Sequence, residues 1–89
     1  MEIGDIKYNI LAKLIRMRMW GGKHTEMRNL YKGLPENLKS NKQGKKLIEK
    51  AVKGLMQSGF LITKPATSEI HVSLNPQKVK EIMEFYNKR

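Results

Sequence analysis

The chain has no cysteine and little acid: 8 Asp and Glu stand against 18 Lys and Arg in 89 residues, a formal net charge of +10. Without thiols there is no disulfide, no thiolate zinc site and no thiol nucleophile, a composition that fits a reducing interior. No apolar run approaches the roughly 18 residues of a membrane-spanning helix, and neither a signal-peptide pattern nor a lipidation motif is present. A soluble cytoplasmic chain without a membrane partner is expected. Aromatic residues are also sparse, with 1 Trp, 3 Tyr and 2 Phe. Phe60, Phe85 and Tyr86 fall at core-like or terminal positions, which leaves no stacking platform for single-stranded nucleic acid.

Catalytic patterns are missing as well. His24 and His71 are the only histidines, far apart in sequence, and no HxxxH, HExxH or clustered acid pattern sets them on one face. There is no GxSxG elbow, no GxGxxG run and no Walker loop; Gly33, Gly44 and Gly54 are isolated. Gly44 either lets the backbone approach a phosphate or is merely tolerated near a helix start. The expectation is a protein that is not an enzyme, with no metal and no cofactor. Eighty-nine residues make one domain, spanning 1–89, with a core that buries roughly 60% of the unfolded surface. So large a positive charge opposes compaction and attracts polyanions, nucleic acid first among them.

Charge is concentrated in SNKQGKKLIEKAVKGLMQSG, residues 40–59. Ser40 with Gln43 three residues on reads as a capping box, and Gly59 as the residue past the helix end that needs positive φ, so the pattern predicts a helix over Asn41 to Ser58. Leu47, Ile48, Ala51, Val52, Leu55 and Met56 recur at spacings of three and four and form its apolar face. The opposite face carries Lys42, Lys45, Lys46, Lys50 and Lys53, with only Glu49 to offset them. Lysines in the first turns of a helix face the positive end of its dipole and cost a few tenths of a kcal/mol each. An anion is the natural partner for lysines and free amides that point the same way.

Ahead of this helix, the pattern predicts a first helix from an Asp5 cap to about Trp20, stopped by Gly21 and Gly22. Ile6, Ile10, Leu14 and Met17 make one apolar stripe; Tyr8, Ala12, Ile15 and Met19 make a second, more than one neighbour can cover. Either this helix is central and contacted from several sides, or the second stripe is a dimer interface. A short helix is expected from Thr25 or Glu26 to Lys32, with Met27, Leu30, Tyr31 and Leu34 inward, and then a connection from Pro35 to Lys39.

After Gly59 the period changes from helical to alternating. Phe60 to Lys64 and Glu69 to Leu74 read as the two strands of an antiparallel hairpin, with Ile70, Val72 and Leu74 inward and Glu69, His71 and Ser73 outward. Asn75 with Pro76 opens a last helix, whose seam is Val79, Ile82, Met83 and Tyr86.

The order helix, helix, basic helix, hairpin, helix resembles the winged-helix variety of helix-turn-helix protein over nearly the whole chain. GGKHTEMRNLYKGLP, KGLMQSGFLITKP and HVSLNP look like small basic winged-helix proteins of archaea. The resemblance implies an α+β, mainly helical domain. In it Asn41 to Ser58 enters the major groove of double-stranded DNA, and Phe60 to Leu74 forms a wing beside the backbone, in a setting of transcriptional or chromosomal regulation. Lys39, Lys42, Lys45, Lys46, Lys50 and Lys53 are then the phosphate contacts, and Asn41, Gln43 and Lys46 the readers of base edges. The wing departs from the pattern: its tip, Pro65 to Ser68, has no Lys or Arg, so Lys64 is its one obvious contact. Two other functions stay open: binding to a structured RNA, since phosphate attraction does not separate the polymers, and a protein interaction module.

Overall fold

The computed structural model describes residues 2–88. It is an α+β domain of four α-helices and one small antiparallel sheet. The chain runs α1 (Ile3–Met17), β1 (Thr25–Glu26), a 3₁₀ turn (Met27–Leu30), α2 (Glu36–Ser40), α3 (Lys42–Gln57), β2 (Leu61–Pro65), β3 (Ile70–Leu74), a second 3₁₀ turn (Pro76–Lys78) and α4 (Val79–Asn87). The sheet order is β1-β3-β2, with β3 central.

The core is drawn from every element but the tips. Ile6, Ile10, Leu11 and Leu14 of α1 meet Ile48, Ala51, Val52 and Leu55 of α3, Leu61, Val72 and Leu74 of the sheet, and Ile82 of α4. Each large aliphatic side chain buried this way contributes about 1.5–3 kcal/mol relative to exposure.

Several boundaries differ from the sequence expectation, some for local and some for tertiary reasons. Asp5 is not the cap of α1: the helix starts at Ile3, and Asp5 reaches back to accept a bond from the Glu2 amide at 3.3 Å. At the other end α1 stops at Met17, with Arg18 in the left-handed region at φ 58°. The chain turns early because β3 takes its next groups: the Leu74 amide donates to the Met19 carbonyl at 2.7 Å, and the Gly21 amide to the Leu74 carbonyl at 3.0 Å. Ser73, expected to face outward, is buried.

The predicted helix from Thr25 to Lys32 is absent. Thr25 and Glu26 instead pair with Val72 and His71 as a third strand, and only Met27–Leu30 coils, as a 3₁₀ turn. The connection from Pro35 to Lys39 is where the short helix α2 lies, its Leu38 buried. A single residue, Asn41, separates α2 from α3. Its side-chain oxygen accepts from the Gly44 amide at 2.7 Å while its side-chain nitrogen donates to the Asn37 carbonyl at 2.6 Å. Asn41, not Ser40, is therefore the N-cap of α3, and it ties the two helices together. Asn41→Ala is expected to cost about 1 kcal/mol, read as a lower urea midpoint at unchanged slope.

The hairpin, the Asn75-Pro76 cap and the positive φ at Gly59 are where the pattern places them. Met56, Ile70 and Val79, assigned to apolar faces, are exposed. Met56 lies at the edge of the α3 seam, Ile70 beside the hairpin turn, and Val79 at the first turn of α4. The second stripe of α1 is covered from within the chain. Tyr8 stacks on Tyr86 of α4 with ring centres 5.4 Å apart, Ala12 is buried, and Ile15 and Met19 pack half-buried against the core. Hiding that stripe does not require a second copy of the chain.

Candidate nucleic-acid interface

The outward face of α3 follows from its period. Lys42, Lys46, Lys50, Lys53 and Gln57 succeed one another at spacings of four or three, which puts them on one line along the helix. All five are exposed, as are Gln43 and Lys45 to either side. The first turn holds no acid, so nothing offsets the lysines where the free amides gather. Among the described residues, none of Lys42, Lys45, Lys46, Lys50, Lys53 and Lys64 is in an ion pair.

Two of the sequence-chosen residues are otherwise engaged. Lys39 is half-buried and pairs with Glu36 at 3.3 Å. Asn41 has both side-chain functions tied up in the α2–α3 junction, so it is not free to read a base edge. Gln43 and Lys46 remain available, and Lys64 stands exposed on β2.

Residues that charge alone does not reveal complete the surface. Between the lysines lies an open concavity of about 840 Å³, lined by the apolar or aromatic Tyr31, Leu47, Val52 and Met56 and by Gln43, Lys46, Lys50 and Lys53, with Glu49 its one acid. Tyr31 also lines the hollow that runs to the hairpin turn at Pro65–Ile70, so it sits between α3 and the hairpin. Burial, with Glu49 as the lesser cause, pushes its phenol above the usual range. It stays a neutral hydrogen-bonding group at physiological pH. No local signal marks it, because its role depends on where the 3₁₀ turn sets it down.

Beside the hairpin turn stand two acids, Glu26 of β1 and Glu69 just ahead of β3. The Arg28 guanidinium bridges Glu26 at 2.6 Å and Glu69 at 2.8 Å. Its hydrogen bond holds the Glu26 carboxyl below the usual carboxylate range, and the same bond raises Arg28. The two histidines, expected to lie apart, meet here: their Nδ1 atoms are 2.7 Å from each other. Comparisons with protein families, curated proteins and solved structures gave no match to this chain. Among the described residues no helix is long and apolar enough to cross a membrane.

Proposed function

We propose that the chain is a winged-helix domain that binds double-stranded DNA without catalysing a reaction, with transcriptional or chromosomal regulation as its setting. The observation that carries this reading is the outward face of α3, a line of exposed, unpaired lysines with no acid in the first turn. Two further features support it. Helices α2 and α3 meet across one residue, and α3 leads directly into the β2–β3 hairpin. The β2–β3 hairpin also packs against α3 through β2, an edge strand of the sheet, which supports reading it as a wing.

In this reading Lys42, Lys45, Lys46, Lys50 and Lys53 contact phosphates and supply most of the affinity. Gln43 and Lys46 are the side chains that reach base edges, Gln43 toward adenine and Lys46 toward guanine. Lys64 adds one contact from the wing. Tyr31 is placed to donate its hydroxyl proton to a backbone phosphate between the two.

The test is the salt dependence of binding to a short duplex. With four to six phosphates neutralised, the logarithm of affinity is expected to fall against log salt with a slope of about 4 to 5. Fluorescence anisotropy at several salt concentrations measures it. Salt-insensitive binding excludes a lysine–phosphate interface, and tighter binding to duplex RNA than to DNA moves the function to RNA.

A further inference from the structure

We propose that His24, Glu26 and His71 form a binding site for a divalent transition-metal ion of the zinc type, with Glu69 as the group that orients His71. This site is separate from the lysine face of α3 and does not depend on the DNA-binding reading.

The placement follows from strand alternation. Glu26 is the cross-strand partner of His71 in the β1–β3 ladder. His24 precedes Glu26 by two residues, and Glu69 precedes His71 by two. In extended chain, residues two apart share a face. The segments HTE and EIH, running antiparallel, therefore bring two imidazoles and two carboxylates together on the side of the sheet opposite Thr25 and Val72, which are buried.

Three of the four groups already converge, and His24 joins them through its contact with His71. One ligand atom each from Glu26, Glu69 and His71 lies within 4.8 Å of the others. The His24 and His71 rings meet edge to face with Nδ1 opposed to Nδ1 at 2.7 Å. Two nitrogens bound to one tetrahedral zinc at about 2.0–2.1 Å stand about 3.3 Å apart, so the rings have to part by about 0.6 Å, turn until both lone pairs meet at one point, and give up the proton they share. His24 is exposed and can swing that far. The second nitrogen of His71, Nε2, stands 3.9 Å from the Glu69 carboxylate and has to close by about 1 Å to make the outer-sphere hydrogen bond that orients a metal-bound imidazole. Two imidazoles and one carboxylate leave a fourth position for water.

Arg28 is the competitor. Without a metal it bridges Glu26 and Glu69, but it is 67% exposed, and ion pairs so open to water are weak. A dication bound by two imidazoles gains more from Glu26 than a solvated guanidinium does, and Arg28 can turn outward to solvent. Removal of Arg28 therefore leaves zinc affinity unchanged or raises it, a direction that a merely structural role for the cluster does not give.

The experiment is isothermal titration of the untagged chain with zinc chloride in chelator-treated buffer, alongside thermal unfolding with and without excess zinc. Expected are one zinc per chain, a melting temperature that rises with zinc and returns with a chelator, and at least a tenfold loss of affinity in His24→Ala and in His71→Ala. Because the chain has only these two histidines and no cysteine, zinc binding that survives both substitutions belongs to scattered carboxylates and overturns the proposal. Absence of saturable binding overturns it too. Arg28→Ala is expected to bind at least as tightly as the wild type; weaker binding removes the carboxylates from the ligand set and with them the site as proposed. His24 is an exposed residue just before β1, so His24→Ala keeps the fold and isolates the loss of a ligand.

Discussion

Gly44→Ala is expected to destabilise the domain by about 3 kcal/mol or more, enough to leave much of the protein unfolded at moderate temperature. A Cβ at this position would lie 1.9 Å from the Leu38 carbonyl oxygen and 2.7 Å from its carbon. Both are backbone atoms of α2, so no rotamer change relieves the overlap and the two helices must separate. Separation also breaks the bond from the Gly44 amide to the Asn41 side chain and so removes the cap of α3. Gly54 in the same helix supplies the contrast. Its added Cβ would meet only the end of the Lys7 side chain, at 2.9 Å, and that flexible tip can move aside. Gly54→Ala then gains helix propensity, up to about 1 kcal/mol. Urea unfolding of both variants checks the pair: opposite signs are expected, and a Gly44→Ala protein as stable as the wild type would show that α2 does not pack on α3 as described.

This glycine also marks where the sequence could and could not be read. Its neighbours Leu47, Ile48, Ala51, Val52 and Leu55 announce α3 through local periodicity alone. The hairpin is announced by the change to alternation, and the last turn by Asn75 and Pro76. Gly44, by contrast, is demanded by another helix, and nothing within a few residues of it says so. The same holds for β1. A two-residue strand has no pattern of its own; Thr25 and Glu26 are extended because β3 offers them partners. A helix starting at Thr25 or Glu26 gives Glu26 no partner on β3, so His24 and Glu26 look unrelated to His71 and Glu69; in extended chain paired with β3 they share a face. The lysine face of α3 was legible because its charge and its period are both local. Tyr31 and the capping role of Asn41 were not, because the first depends on where the 3₁₀ turn sets it and the second on how the α2–α3 junction folds.

The double substitution Lys42→Glu with Lys46→Glu is expected to weaken binding to duplex DNA by at least a hundredfold at low salt. The slope of log affinity against log salt should drop by about 2, one for each phosphate contact removed. Both side chains are exposed on the same line of α3, and neither is in an ion pair, so their loss leaves no buried group unsatisfied. Folding should not suffer. Glutamate near the start of a helix faces the positive end of the dipole and is favoured there by a few tenths of a kcal/mol, so helix content and melting temperature should hold or rise slightly. Reversing Lys80 and Lys88 instead controls for net charge. Both are exposed, on α4 and just past its end, and that double variant loses the same amount of charge from a different surface. If general attraction to a basic protein were the whole effect, the two variants would weaken DNA binding alike. A local interface on α3 requires the Lys42 and Lys46 pair to lose far more, and equal losses measured by anisotropy on the same duplex would remove α3 as the recognition helix.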